Sequence, residues 1–172
     1  MNKDIILIIG ASSDIGIDLI RNIDNGALIL AHYNSSKKRL VELEKKIDNE
    51  LVIIKADLSI EDQTRTMVKD IEKIYGVPNK IIHLAAPKFA NIRFKDIDLD
   101  DFQKEIEISL KSLIIILSSF LPKLAKEKQG KVVCILSSVV LNIPPKALAQ
   151  YTTVKYALLG LVKSLASEYA DK

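Results

Sequence analysis

Five short runs of this chain are apolar at almost every position: Asp4–Ile9, Ala27–Ala31, Leu51–Lys55, Lys80–Leu84 and Lys131–Leu136. A strand with one wet face alternates apolar and polar residues, so unbroken runs of this kind suit parallel strands covered on both faces. Helical segments separate them, read over Asp14–Ile23, Ser36–Ile47, Glu61–Tyr75, Asp100–Lys126 and Ala147–Ala170. Five βα units in succession predict an α/β fold, a doubly wound parallel sheet in three α/β/α layers. No internal repeat or linker divides the 172 residues, and residues 1–172 are read as one domain.

Bulk composition excludes several classes of function. Apolar residues make up 48% of the chain, enough for a real core, which disordered chains lack. The net charge of +3 comes without a dense basic stripe, so nucleic-acid binding is not supported. Cys134 is the single cysteine; it excludes an internal disulfide and any multi-cysteine metal site, and no metal is expected. It lies in an apolar run and reads as a buried small hydrophobe. The N-terminus enters a strand without a signal-peptide pattern. Leu113–Leu121, the most apolar stretch, is too short to span a bilayer, so a soluble cytoplasmic protein without a membrane partner is expected.

Two motifs carry chemistry. Gly10-Ala11-Ser12-Ser13-Asp14-Ile15-Gly16 follows the first strand and opens the first helix. Gly10 permits a tight turn, Gly16 permits close helix–strand packing, and free amides at the helix start favour a phosphate. Far downstream, Tyr151 and Lys155 stand four residues apart, which puts them on one helical face. A phenol titrating near ~10 is a poor acid at neutral pH, and a fixed cation beside it favours the phenolate. Such a pair makes a usable general acid. The longest loops, Pro87–Asp98 and Val139–Lys146, both follow strands, the side of such sheets on which ligands bind.

With these motifs in place the chain resembles the short-chain dehydrogenase/reductase family, from Asp4 nearly to its last residue. It is most similar to the non-extended branch that includes 3-oxoacyl-(acyl-carrier-protein) reductases. The resemblance implies a Rossmann-type sheet of strand order 3-2-1-4-5. It also implies that Gly10, Ser12, Ser13, Asp14, Ile15 and Gly16 line the cofactor, Asp14 standing where the family's middle glycine would be. An aspartate there is read as a cap of the helix start. No carboxylate occurs between Asp24 and Glu42 to hold a ribose hydroxyl, whereas Lys37, Lys38 and Arg39 are suited to a 2′-phosphate; NADP(H) is favoured over NAD(H). Near the ends of the second and third strands, Asn34 is assigned to the cofactor and His32 either to adenosine or to a plain surface role. By resemblance Asp57 meets the adenine amino group and Leu58 packs on its ring. Ser59-x-x-Asp62 reads as the cap of the third helix, which frees Asp57 for that contact.

After the fourth strand, Ala85 and Ala86 keep the small size needed beside the cofactor ribose. His83 replaces the family's first asparagine there and is read as structural. Ser138, thirteen residues before Tyr151, matches the family's catalytic serine, with Ser137 beside it. Ser109 falls where the family has an asparagine that holds a water linked to the lysine. The implied reaction is reversible hydride transfer between nicotinamide and a carbonyl or alcohol. Ser138 would polarise the oxygen and Tyr151 protonate it, while Lys155 would also bind the nicotinamide ribose.

The family's sixth and seventh strands have no counterpart in these residues. The fifth strand is therefore expected to be an apolar sheet edge, in a fragment of a longer chain or in one covered by another element. Leu113–Leu117 is apolar around the whole helix, which points to a homodimer or homotetramer through helices 100–126 and 147–170. The apolar loop Leu141–Lys146 would tolerate an acyl thioester, and Lys88, Arg93 and Lys146 would meet a phosphopantetheine or its carrier. Two other readings stand beside this reductase: a catalytically impaired binding or assembly module, favoured by Asp14 and Ser109, and a nucleotide-sugar enzyme of the extended branch, for which the chain is too short.

Overall fold

Strand β1 (Ile5–Ile9) is the axis of the computed structural model, which describes residues 3–170. The first two and last two residues of the expected 1–172 domain lie outside the described residues. β2 (Leu28–Tyr33) and β4 (Lys80–His83) flank β1, with β3 (Glu50–Lys55) outside β2 and β5 (Lys131–Cys134) outside β4. All four pairings are parallel, so the order β3-β2-β1-β4-β5 is the one expected. Every residue of β2 is buried, as its unbroken apolar run requires.

Polar side chains pin the register at the amino ends of the strands. Asn79 accepts from the Ile5 amide through Oδ1 and donates to Asp4 through Nδ2, while Lys80 pairs with Asp4. The Lys80 ammonium beside Asp4 holds its carboxyl below the usual range. Asn49 does the same for β2, accepting from Ala27 and donating to Ile23.

Helices α1 (Asp14–Arg21) and α2 (Lys37–Glu44) cover one face, packing Ile17, Ile20, Leu40 and Leu43 on Ile6, Ile8 and Ile29. On the opposite face α3 (Glu61–Tyr75), α5 (Ser112–Lys126) and α6 (Ala149–Tyr169) pack Met67, Ile71, Leu113, Phe120 and Leu158 on Leu7, Ile9, Leu30 and Ile81. The expected helix 100–126 is continuous but not uniform. It comprises α4 (Leu99–Ile106), a π turn over Glu107–Lys111, and α5. The 28 residues are long and apolar enough to cross a membrane, unlike the shorter run singled out in the sequence. Their most apolar side lies on the sheet instead, with Leu113, Ile116 and Phe120 fully buried.

That burial corrects the reason given for oligomerisation. Leu113, Ile115, Ile116 and Leu117 are all buried within this one chain, and Ile114 alone of the run is exposed, at 44%. The helix is apolar all round because the sheet and neighbouring helices enclose most of its circumference.

β5 ends the sheet with little cover. Val132 and Val133 are exposed on its two faces, as is Ile135 just beyond it. An apolar groove of about 370 Å³ runs beside it between α5 and α6, lined by Leu121, Leu124, Val132, Val162 and Leu165.

Candidate active site

The turn after β1 has almost no free space. Gly10 takes φ +83°, and a Cβ there would stand 2.9 Å from the Ala85 amide nitrogen. A Cβ on Gly16 would stand 2.4 Å from the Ala11 carbonyl oxygen. Only glycine lets β1 and β4 end so close together and lets α1 start directly against the turn. Ser13 caps α1, accepting from the Gly16 amide through Oγ, which leaves the amides of Asp14 and Ile15 without an intrahelical acceptor. A cradle a side chain would fill, facing free helix-start amides, fits the pyrophosphate of a dinucleotide.

Asp14 is corrected from cap to first helical residue. Its carboxylate lies outside the turn and pairs with Arg39 Nη2 at 2.6 Å, while Arg39 Nη1 donates to the Ser12 carbonyl at 2.8 Å. The unfavourable charge beside a phosphate site is thus met by a guanidinium that also grips the turn. Of the three basic residues after β2, Arg39 is held by Asp14 and Lys38 approaches Glu42 at 3.8 Å.

His32 is corrected from a surface residue to a buried one, 2% exposed. Its Nδ1 accepts from the Gly10 amide at 3.1 Å and its Nε2 lies 3.1 Å from the Ala56 carbonyl, so the two partners assign the Nε2–H tautomer. Burial pushes its pKa down, against the pull of the Ala56 carbonyl and of Asp57. Both nitrogens are committed, and the ring offers nothing to an adenosine.

The end of β3 differs from expectation in its capping. Ile60, not Ser59, precedes α3, and no side chain caps it. Ser59 instead turns back, donating to Asp57 Oδ1 from its hydroxyl at 2.7 Å and its amide at 3.0 Å. These bonds, with one from Asn34, hold the Asp57 carboxyl below its usual range. Asp57 and exposed Asn34 therefore form one polar edge at the ends of β2 and β3. Leu58 is buried in the core cluster below them, not presented to a ring.

At the end of β4, Ala85 is buried against the glycine turn and Ala86 is exposed. His83 is structural, as expected: it is buried, with Nε2 at a long 3.5 Å from Ser112 Oγ. Burial, then the charges of Lys155 and His32, push its pKa down to about 3.

The Tyr151–Lys155 pair occupies the first two turns of α6. Lys155 is buried, donates to the Ile135 carbonyl at 3.1 Å and stands 5.6 Å from the Tyr151 ring centroid. Burial pushes its ammonium down, while Cys134 and Glu105 pull it back up. Ser138 opens a 3-10 turn over Ser138–Val140 that packs against α6, and it is exposed. Ser137 caps that turn, its Oγ accepting from the Val139 amide, which leaves Ser138 as the outward hydroxyl. Ser109 sits at the centre of the π turn, buried, in a segment that also packs against α6. A π turn widens the helix locally and is common at functional sites.

Three contributors were invisible in the sequence pattern. Phe89 meets the Tyr151 ring edge-on at 5.2 Å. Gln150 donates to Glu105 at 2.8 Å in a buried bond that ties the start of α6 to α4. The Ile92 amide donates to the carbonyl of Ala147, a non-glycine residue at φ +63°, joining the two long loops. Each contact spans tens of residues, beyond any local signal.

Comparison with known proteins bears on the family and the fold. The family profile of short chain dehydrogenases matches residues 4–172. An uncharacterised oxidoreductase of Staphylococcus epidermidis is 22% identical over 170 residues, covering 99% of this chain and 73% of its own length. A 3-oxoacyl-(acyl-carrier-protein) reductase of Staphylococcus aureus is 26% identical, covering 96% of this chain and 68% of its own. Among solved structures, a short-chain dehydrogenase from Streptomyces avermitilis superposes with a TM-score of 0.89 at 19% identity, over 99% of this chain and 62% of that one. A short-chain dehydrogenase/reductase from Serratia marcescens gives 0.84 at 20% identity, over 98% and 69%. The glycine turn, the sheet order and the match along nearly the whole chain have one common explanation: this chain belongs to the short chain dehydrogenase family.

Proposed function

We propose that the chain is a carbonyl reductase or alcohol dehydrogenase working with NADP(H). One observation carries the reading: the Gly10–Gly16 turn and the Tyr151–Lys155 pair lie along the same carboxyl edge of the sheet, with Lys155 anchored by the carbonyl of Ile135. When bound, the nicotinamide supplies or accepts the hydride. Tyr151 Oη exchanges the proton with the substrate oxygen, and Ser138 Oγ donates a hydrogen bond to that oxygen. Lys155 keeps a positive charge one turn away, which favours the phenolate while the proton is on the substrate. Ser109, with one hydroxyl, holds the water that links Lys155 to solvent.

Gly10, Ser12, Ser13, Asp14, Ile15 and Gly16 would hold the pyrophosphate, Asn34 and Asp57 the adenosine, and Ala85 and Ala86 the ribose. NADP(H) is preferred because the sequence has no carboxylate between Asp24 and Glu42 and the exposed Lys37 follows β2. At the mouth, Phe89, Leu141 and Ile143 are exposed, which suits an apolar substrate such as an acyl thioester. The similarity to a 3-oxoacyl-(acyl-carrier-protein) reductase supports the same class. Lys88, Arg93 and Lys146 would then meet the carrier or its phosphopantetheine. Two or four copies associate through the outer sides of helices 100–126 and 147–170, where Ile114 and Tyr156 remain exposed.

A second reading, a cofactor-binding module without turnover, is favoured by Ser109 in place of asparagine. Titration with NADPH and NADH, followed by nicotinamide fluorescence, tests the first. Saturable binding, tighter for NADPH, is expected. Binding of neither by the folded chain rejects the cofactor reading, and binding without carbonyl reduction leaves the module.

A further inference from the structure

His32 stands under the proposed cofactor site without facing it. Its ring is 2% exposed, and its two nitrogens reach in opposite directions: Nδ1 to the Gly10 amide in the turn after β1, Nε2 to the Ala56 carbonyl at the end of β3. The His32 main chain holds the same turn from below, its carbonyl accepting from the Ala11 amide at 2.8 Å. One residue thus grips two successive amides of the glycine turn and joins them to the segment that carries Asp57. Gly10 sits at φ +83° with the Ala85 backbone pressed against it, so the turn has one workable shape. Gly10 itself has no side chain with which to hold that shape.

We propose that His32 is a positioning residue for the dinucleotide: its imidazole clips the glycine turn to the end of β3 and sets the spacing between pyrophosphate and adenosine subsites. The inference rests on the cofactor reading above. The ring is too buried to touch a ligand, so its effect on binding runs through the Gly10 amide. The two ring bonds are separable. In His32→Asn the amide oxygen takes the place of Nδ1 and the Gly10 bond is kept. In His32→Gln the amide nitrogen takes the place of Nε2; the Ala56 bond is kept and the Gly10 bond is lost.

Each variant loses one hydrogen bond, so a purely structural histidine predicts equal effects of the two on cofactor binding. The clip predicts that His32→Gln weakens NADPH binding by about 10- to 100-fold, the loss expected when a buried amide is left without its acceptor. His32→Asn should stay within about threefold of the unmodified chain. Fluorescence titration with NADPH, beside thermal melts without ligand, reads both. Equal affinities for the two folded variants overturn the proposal while leaving the cofactor reading intact. If the unmodified chain binds neither NADPH nor NADH, the cofactor reading falls and this inference with it. Should a variant fail to fold, nitrogen chemical shifts of the unmodified His32 ring decide: an Nε2–H tautomer supports the clip, and an Nδ1–H tautomer, unable to accept from Gly10, overturns it.

Discussion

The centre of the sheet and its β5 edge are enclosed to different degrees. Around β1 and β2, at the centre of the sheet, both faces are covered, β2 is wholly buried, and Gly10 and Gly16 sit where one added carbon would strike backbone. Around β5 three apolar side chains meet water, an open groove runs alongside, and Gly160 of α6 has nothing within 4 Å of where a Cβ would be. Shape is dictated tightly at the glycine turn and loosely along the open β5 edge. The same side carries the proposed reactive pair, tied in by Lys155 to Ile135, Gln150 to Glu105 and Phe89 on Tyr151.

The contrast can be broken first at the chemistry. Tyr151→Phe should lower carbonyl reduction by about 10²- to 10⁴-fold with NADPH affinity unchanged, the range for losing a positioned acid. Steady-state rates beside the fluorescence titration check it, and unchanged turnover would mean the proton comes from elsewhere. At the tight end, Gly16→Ala should cost about 3 kcal/mol, since the new carbon meets the Ala11 backbone and not a flexible side chain. Urea denaturation measures this, and a cost below about 0.5 kcal/mol would show that the turn yields.

At the seam between the halves, His83 and His32 have pKa values lowered by burial, His83 to about 3. The unfolded chain takes up these protons near its ordinary 6.5 and the folded chain does not. Stability is therefore present above about pH 6.5 and falls as the pH drops toward 3. His83 contributes up to about 1.4 kcal/mol per pH unit within that window, and His32 acts in the same direction. His83→Phe should flatten the curve by one proton's worth, read from urea midpoints between pH 6.5 and 5; an unaltered slope would mean that His83 is protonated when folded.

At the loose end, Gly160→Ala should stabilise by about 0.5 to 1 kcal/mol, the sign opposite to Gly16→Ala although both sit in helices. A lower melting temperature for this variant would contradict the open space around α6. Smallest in stability is Val133→Lys on the exposed edge: a change under about 0.5 kcal/mol, with reduced self-association in sedimentation if the bare edge is what associates.

Local patterns could be read from sequence in every region, and long-range polar contacts in none. All five strand runs were legible, the exposed one at 131–136 included, because strands of a doubly wound parallel sheet are written as unbroken apolar strings, and the Gly10–Gly16 spacing because no other residue fits. Glu61–Tyr75 was legible to the residue, its end set by Gly76 at φ +88°. The function of Ser59 was misread because a capping pattern is local, whereas Asp57 offers its hydroxyl a competing acceptor two residues back. His32 was misread for a deeper reason. At the end of a strand an imidazole can face water or an inner carbonyl, and the difference lies in the Ala56 and Gly10 backbones, 24 and 22 residues away in sequence. The same holds for Leu113–Leu117, whose all-round apolarity is equally consistent with a partner chain or with its own neighbours until packing distributes the faces.

By itself the sequence determined the parallel α/β sheet, its order through family resemblance, and the candidate reactive residues, because periodicity, glycine positions and a four-residue helical spacing are local properties. Only the tertiary structure decided that Asp14 is neutralised by Arg39, that His32 is a buried tie, that Ser109 lies in a π turn, and that Lys155 is anchored to Ile135. Those outcomes depend on which distant donor or acceptor arrives at each polar atom once the chain is packed, and burial makes that arrival matter.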